Sequence, residues 1–250
     1  MANKKTKDLI ITKNPKSLFA ESIRSIRTNL AFASLDKDVK IIINTSPEAG
    51  DGKSFVTANL AVAYAQEGKK VLLIDADLRR GRQHEIFDVM NITSGGYSNL
   101  MLNYKDNTRF SDYILPTFDK NIDLLPTGPT PPNPVELINS DNNKKLLERL
   151  KKEYDLIIMD CAPIIGLSDS LILATISDIN LITVSANKTK IENLERVKKL
   201  FDQNNLKISG VIFNNAKVSG NGYYSYYYSS DYYGDKHRKW KIYIHICCTG

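Results

Sequence analysis

Cysteine is scarce in this sequence, and the few cysteines are not spaced for a disulfide framework or a metal site. The 250 residues include only three, Cys161, Cys247 and Cys248. The first stands alone behind an apolar run and the other two are adjacent, which excludes the patterns of small disulfide-rich secreted domains and of zinc sites. The cysteine content therefore favours a chain that works in the cytoplasm.

Long apolar runs are also missing. No stretch approaches the roughly 18 to 20 apolar residues that span a bilayer, and Met1–Lys5 lacks the apolar segment of a secretion signal. With 250 residues, 42% of them hydrophobic, the chain can bury one sizeable core, and no linker requires a second domain. The formal charge of +6 indicates a solvated basic surface, and we expect no nucleic-acid partner.

A phosphate-binding loop is the feature around which the sequence is organised. Ser46–Ser54 follows the apolar run 41–43 and precedes a helical pattern over 55–66. A loop between a strand and a helix directs backbone N–H groups and the positive end of the helix dipole at an anion. Only Gly-Lys-Ser at 52–54 fits the pattern G-x-x-x-x-G-K-[ST], because Pro47 replaces its first glycine. Lys53 would reach the outer phosphates.

Two apolar runs end in aspartate. Residues 71–74 precede Asp75 and Asp77, and residues 156–159 precede Asp160. Uninterrupted apolar runs are typical of strands buried on both faces of a parallel sheet, and ligands bind at the carboxyl ends of such strands. These carboxylates are therefore predicted to meet Lys53 and the Ser54 hydroxyl in one nucleotide and Mg²⁺ site.

The order of strand and helix patterns predicts the fold class. Strands alternate with helical stretches along the chain, so we expect an α/β domain with a mainly parallel, doubly wound sheet. Residues 135–152 are predicted as one helix. Asn214 ends the last strand, where it either contacts a nucleotide base or is a simple turn residue. Three positive charges in Arg79–Arg82 lie near the predicted site. They either neutralise phosphate, bind an acidic peptide or belong to a solvated turn without a functional role.

The helix predicted over 16–33 has a polar side with two interpretations. Glu21, Arg24 and Arg27 lie three residues apart, opposite the apolar face. They form either an exposed surface with one weak ion pair or a contact between subunits.

The last part of the chain has a different composition. Seven of the thirteen tyrosines fall between Gly220 and Gly234, among Ser, Gly, Asp and Asn residues, which indicates disorder. Such a segment is an aggregation-prone stretch, an aromatic platform for nucleic acid or carbohydrate, or an edge strand. Beside a nucleotide site, it is alternatively an acceptor of phosphate. The seven are Tyr223, Tyr224, Tyr226, Tyr227, Tyr228, Tyr232 and Tyr233.

Together these motifs resemble a known family, the bacterial tyrosine kinases of capsule and exopolysaccharide synthesis. The resemblance extends from about Lys16 to Tyr233 and is strongest to the separate cytoplasmic subunit of Gram-positive bacteria. It rests on the Gly-Lys-Ser loop, Asp75-Ala-Asp77-Leu-Arg79, Asp160-Cys-Ala-Pro163, Glu21-Ser-Ile-Arg24-Ser-Ile-Arg27, Pro131-Pro-Asn-Pro134 and the tyrosine cluster. Two features depart from the family, namely Ala49 in place of a common proline and the end of the chain, residues 240–250.

The resemblance implies a P-loop NTPase fold of the MinD/ParA-like kind and a set of functional residues. It implies catalysis by Lys53, Asp75 and Asp77, with Asp75 as the candidate proton acceptor and Asp77 as its alternative, and Mg²⁺ at Ser54, Asp77 and Asp160. It assigns ring formation to Glu21, Arg24 and Arg27 and phosphate acceptance to the seven tyrosines. Nucleotide binding is assigned to Glu48, Ala49, Gly50, Asp51, Gly52, Lys53, Ser54, Phe55 and Asn214.

The same resemblance implies an organisation and partners. Residues 1–15 would be a flexible basic extension, 16–217 the kinase domain with its oligomerisation helix at 16–33, and 218–250 a disordered tail. The expected partners are a membrane-bound activator with a cytoplasmic C-terminal segment, a cognate tyrosine phosphatase and further copies of the chain in an octameric ring. The activator would recruit the cytoplasmic kinase to the inner face of the membrane.

The sequence is also compatible with two other functions. Partition and septum-positioning ATPases share the fold, but Glu48 occupies the place of their signature lysine. A nucleotide-gated scaffold would use the same binding groups without transferring phosphate.

Overall fold

The computed structural model describes residues 8–35, 38–89, 95–186 and 188–216 and the backbone of 243–245. The tyrosine cluster lies outside these residues. Nine α-helices are found within the described ranges: α1 Ile10–Lys13, α2 Leu18–Ala33, α3 Lys53–Ala65, α4 Gln83–Ile86, α5 Tyr97–Asn103, α6 Pro134–Ile138, α7 Asp141–Glu153, α8 Asp169–Ala174 and α9 Ile191–Gln203.

One sheet runs through the molecule, and its topology confirms the predicted fold class. Its strands are β1 Ile41–Thr45, β2 Val71–Ala76, β3 Leu115–Pro116, β4 Ile122–Leu125, β5 Leu156–Cys161, β6 Ile179–Ser185, β7 Gly210–Asn214 and β8 Tyr243–His245. They are ordered β3-β4-β2-β5-β1-β6-β7-β8. The six central strands are parallel, whereas β3 and β8 pair antiparallel at the two edges.

Helices cover both faces of the sheet. Every residue of β1, β2, β5 and β6 is buried, as expected of strands with a layer on each side. Alternate residues of β1 divide between two apolar clusters, Ile41 and Ile43 in one and Ile42 in the other. The strand order reverses around β1, which brings the loop after β1 to the edge where the aspartates end β2 and β5.

The helix predicted over 135–152 is two helices. α6 ends at Ile138, and α7 begins after Ser140, whose hydroxyl accepts a hydrogen bond from the Asn143 amide at 3.2 Å. A serine in this position satisfies an amide at the start of a helix that has no partner within the helix. The apolar spacing alone did not reveal this break, since both helices are apolar toward the same core.

The predicted flexible extension is too long. Residues 8–15 are folded, because Leu9, just before α1, and Ile11 within it are buried against the body of the domain. The side chain of Asn59 in α3 secures this segment, accepting from the Ile11 amide at 3.1 Å and donating to the Asp8 carbonyl at 2.8 Å. Burial of these apolar side chains orders the segment although the sequence around it is basic.

α2 has the predicted apolar face, but its polar side differs from the expectation. Phe19, Ile23, Ile26 and Leu30 are buried. Arg24 forms the expected ion pair with Glu21. Arg27, by contrast, is only 14% exposed in its side chain and turns toward α3 of the same chain, where it contacts the Ala63 carbonyl at 2.7 Å and Glu67 at 2.6 Å.

None of the described helices combines the length and the apolar character that a membrane crossing needs.

Candidate functional site

The loop between β1 and α3 is shaped by two glycines and by the end of β7. Gly50 and Gly52 have φ angles of 83° and 92°, which favour glycine. A Cβ on Gly52 would lie 1.9 Å from Nδ2 of Asn214, so no other residue fits there without displacing that side chain. Asn214 is 1% exposed, and its Nδ2 donates to the Asp51 carbonyl at 3.0 Å. Asn214 thus supports the loop from below, and its contact with a base stays a prediction.

Asp51 fastens the same loop to the segment after β6. Its buried carboxylate accepts from the Glu48 amide at 3.0 Å and from the Thr189 hydroxyl at 3.0 Å. Lys188 donates to the Ala49 carbonyl at 2.9 Å. Glu48, Ala49 and Gly50 remain exposed, so the loop presents its backbone to solvent while Asp51 fixes it underneath.

The first turn of α3 divides its side chains between the site and the core. The ring of Phe55 packs against Phe19 of α2, with centroids 4.9 Å apart. The contact of Phe55 with a nucleotide stays a prediction. Ser54 is half-buried, and its hydroxyl lies 3.3 Å from Nζ of Lys53.

Lys53 brings the predicted parts of the site together. Its Nζ lies 3.1 Å from Oδ2 of Asp77 and 3.3 Å from Oδ1 of Asp160. Burial opposes the charge of Lys53, but the carboxylates of Asp160, Asp77 and Asp75 outweigh it and raise the pKa of the ammonium above its ordinary value. The prediction that this lysine meets the carboxyl ends of β2 and β5 is confirmed in the geometry.

Asp75 is fully buried, as Asp160 is. Its Oδ2 accepts from the Gln83 amide at 2.8 Å, and no described residue donates to Oδ1. Burial, followed by the charge of Asp160, raises the pKa of this carboxyl to about 8. A Cβ on Gly81 would lie 2.7 Å from Asp75 Oδ2 and 1.7 Å from the Thr127 hydroxyl, so glycine is required for this close approach of the backbone.

Asp77 is held by the turn that follows it. Its Oδ1 accepts from the Arg80 amide at 3.0 Å, which leaves Oδ2 directed at Lys53. Arg79 fixes the turn, because its guanidinium contacts the fully buried Asp169 carboxylate at 3.1 Å. Of the three arginines in 79–82, this one therefore has a structural partner, whereas Arg80 is exposed and Arg82 pairs with Glu85 on the surface.

Gln83 was missed by the sequence reasoning. Its side chain is fully buried, and its Nε2 donates to Asp160 Oδ2 at 2.8 Å and to the Ser54 carbonyl at 3.0 Å. A single glutamine eight residues after Asp75, in a stretch rich in arginine, carries no local signal of such a position. Only the folding of α4 onto the site reveals it.

The residues present fit Mg²⁺ in the manner of nucleotide sites. Within the described residues, no group of three or more His, Cys, Asp or Glu side chains could hold a metal by itself. Mg²⁺ commonly binds through one or two protein oxygens, phosphates and waters, so such a group is not needed. Oδ1 of Asp75 and Oε1 of Gln83 are buried without a hydrogen bond from the described part of the chain, and these acceptors suit waters of a hydrated ion. Ser54, Asp77 and Asp160 remain its predicted ligands.

Sequence comparison finds relatives along nearly the whole chain. Residues 39–210 match the family model of the AAA domain. The chain is 37% identical over 233 residues to the putative tyrosine-protein kinase CapB of Staphylococcus aureus, covering 92% of this chain and 100% of that protein. It is also 37% identical over 230 residues to the tyrosine-protein kinase YwqD of Bacillus subtilis, covering 92% and 95%.

Solved structures give a consistent result. The chimerical protein CapA2B2 superposes with a TM-score of 0.78 at 35% identity, over 84% of this chain and 91% of that one. The septum site-determining protein MinD of Pyrococcus horikoshii, complexed with Mg-ADP, superposes with a TM-score of 0.55 at 25% identity, over 69% and 68%.

Proposed function

The chain belongs to the family of bacterial tyrosine-protein kinases, and on this premise we propose that it transfers the γ-phosphate of ATP to tyrosines of its own C-terminal cluster. The observation that carries the proposal is the meeting of Lys53 with Asp77 and Asp160 within 3.3 Å beside a glycine-containing loop. Phosphoryl transfer depends mainly on positioning and charge neutralisation, which this arrangement supplies.

ATP and Mg²⁺ are the proposed cofactors. Bound Mg²⁺ would neutralise charge on the transferring phosphoryl group. The loop amides of 49–54 would hold the β- and γ-phosphates, since the Glu48 amide already donates to Asp51, and those phosphates would compete with the two carboxylates for the Lys53 ammonium. Ser54, Asp77 and Asp160 supply oxygens to the ion, directly or through water.

Asp75 is the proposed acceptor of the phenolic proton. Its raised pKa of about 8 makes its ionised form a stronger base than an ordinary aspartate, and the ionised share grows as the pH rises through that value. A free tyrosine has a pKa of about 10, so the carboxylate is most useful as the bond to phosphorus forms. Asp77 is the less suitable base, because Lys53 contacts one of its oxygens and backbone amides contact the other.

We further propose that the kinase works as a ring of eight subunits in which each site acts on the tail of a neighbour. Glu21 and Arg24 on α2 are candidates for the contact, since their ion pair lies on the surface of the described chain. The proposed acceptors are the seven tyrosines of the cluster, Tyr223, Tyr224, Tyr226, Tyr227, Tyr228, Tyr232 and Tyr233.

The proposed partners follow from the family. A membrane-bound activator would complete the site with its cytoplasmic C-terminal segment and recruit this cytoplasmic kinase to the inner face of the membrane. A tyrosine phosphatase would reverse the modification. The pathway served would be the synthesis and export of capsular or extracellular polysaccharide, without a nucleic-acid partner.

Replacing Lys53 tests the proposal. Lys53→Met removes a charge that nucleotide binding and the transition state both use, so tail phosphorylation should fall by at least about a hundredfold while the fold persists. Transfer of radiolabelled γ-phosphate and intact-mass spectrometry after incubation with MgATP, with and without an activator segment, measure it. Lys152→Met, at an exposed lysine near the end of α7, is the matched control.

A wild-type rate in the Lys53 variant would contradict the site assignment. Wild-type protein that binds MgATP and assembles but transfers no phosphate with any activator segment would support the scaffold function instead.

A further inference from the structure

Gln83 connects three parts of the site through one residue. Its backbone N–H donates to Asp75 Oδ2 at 2.8 Å at the end of β2. Its side-chain Nε2 donates to Asp160 Oδ2 at 2.8 Å at the end of β5 and to the Ser54 carbonyl at 3.0 Å at the start of α3. The proposed base and two proposed metal ligands are thus all tied to the first residue of α4.

Each carboxylate oxygen of Asp160 has a different partner. Oδ1 lies 3.3 Å from Nζ of Lys53, and Oδ2 accepts from Gln83. When phosphates draw Lys53 away, Oδ1 loses its partner while Oδ2 remains held. The carboxylate cannot rotate freely, because rotation would break a hydrogen bond between a buried amide and a charged acceptor.

The same side chain offers an acceptor to the site. Oε1 of Gln83 is buried, and within the described residues nothing donates to it. Both donors of its amide group face known partners, so the orientation of the amide is set by its contacts with two oxygens. A water bound to the metal would satisfy Oε1, as it would Oδ1 of Asp75.

We propose that Gln83 is a positioning residue for Mg²⁺, which fixes Asp160 so that Oδ1 faces the ion and holds the backbone of Ser54 beside it. This role rests on the proposed nucleotide site and deepens it. Gln83 contributes no charge and exchanges no proton, so its loss should weaken the effect of Mg²⁺ more than the binding of nucleotide itself.

Binding of ADP with and without Mg²⁺ tests the inference independently of phosphate transfer. In isothermal titration calorimetry of the full chain, Gln83→Met should reduce the gain in ADP affinity on adding Mg²⁺ by about tenfold, the worth of a hydrogen bond to a charged group. Affinity in EDTA should stay within about twofold of wild type, since the loop amides and Lys53 are unchanged. In the kinase assay, kcat should fall and the Mg²⁺ concentration at half-maximal rate should rise.

The same substitution at an exposed glutamine, Gln203→Met at the end of α9, is the control and should leave all these values unchanged. If Gln83→Met does not fold by circular dichroism, Gln83→Asn replaces it, because the shorter amide cannot reach both oxygens and should show the same loss. An unchanged Mg²⁺ effect in a folded Gln83 variant would overturn the inference. Absence of transfer by the wild type would count against the kinase proposal alone, since the ADP measurement does not need it.

Discussion

At the scale of single residues, the site depends on environment as much as on residue type. Asp75, Asp77 and Asp160 end neighbouring strands and have the same side chain, yet each has different partners. Asp77 and Asp160 contact Lys53, whereas Asp75 accepts from the Gln83 amide and has a raised pKa. A cation stabilises the charged form of a carboxylate and burial opposes it, so these positions suit different roles.

Substituting Asp75 and Asp77 separately should therefore give different kinetic results. Asp75→Ala and Asp77→Ala should each lower the rate of tail phosphorylation by about a hundredfold or more, since each removes a group that acts in the transition state. Asp77→Ala should also raise the Mg²⁺ concentration at half-maximal rate, and by more than Asp75→Ala, because Asp77 is a proposed ligand whereas Asp75 would accept only from a water of the ion. Steady-state assays over a Mg²⁺ series distinguish them, and an equal Mg²⁺ effect in both variants would contradict the assigned roles.

The residues that meet in the site were partly predictable. Lys53, Asp77 and Asp160 were found because each follows or ends a strand that the sequence itself indicates, and parallel strands bring their carboxyl ends together. Asp51 was assigned to nucleotide binding by the resemblance, but its role in fastening the loop was not predicted, and Gln83 was not found. Their roles arise from contacts with Thr189 and Asp160, residues 138 and 77 positions away, and no local pattern encodes such contacts.

At the scale of elements, the polar side chains of α2 divide into one that links α2 to α3 and two that pair on its surface, a division that the sequence did not reveal. Its apolar face was predicted correctly, because helical spacing reports which side is buried. Spacing does not report which neighbour a long polar side chain reaches. Glu21 and Arg24 pair within α2, whereas Arg27 links α2 to the end of α3, the helix that begins at Lys53. The motif therefore contains one structural residue beside two surface residues.

Substitution of Arg27 should therefore affect stability, whereas substitution of Glu21 and Arg24 should affect it little. Arg27→Ala should lower the free energy of unfolding by about 1 to 3 kcal/mol, since it leaves the Ala63 carbonyl and Glu67 without a charged donor. Glu21→Ala with Arg24→Ala should change stability by less than about 1 kcal/mol, as for exposed ion pairs. Urea denaturation at low protein concentration measures both.

Assembly is the second readout of the same helix. The triple variant Glu21→Ala, Arg24→Ala, Arg27→Ala should bind ATP yet form no rings, and its tails should be phosphorylated more slowly because each site acts on a neighbour. Multi-angle light scattering compares the unmodified proteins. Equal masses for wild type and both multiple variants would rule out α2 as the contact.

At the scale of the whole molecule, charge is the property that phosphorylation changes most. The chain carries a formal charge of +6, and Lys236, Arg238, Lys239 and Lys241 follow the tyrosine cluster. Each phosphotyrosine adds roughly −1.5 to −2 at neutral pH, so seven add about −10 to −14 and reverse the sign of the molecule. In the proposed ring, basic unmodified subunits would therefore become acidic ones.

Repulsion between modified tails should dissociate the assembly gradually. Neighbouring tails in a ring would interact over distances comparable to a Debye length of about 8 Å at physiological salt, so the effect depends on the number of phosphates rather than on one tyrosine. Changing one tyrosine to phenylalanine should have little effect, whereas changing all seven should keep the subunits assembled in MgATP. High salt should partly restore assembly of the phosphorylated form, because it screens the repulsion. Mass photometry at defined phosphate counts tests this, and a ring that persists with most of the seven tyrosines modified would exclude a mechanism based on charge.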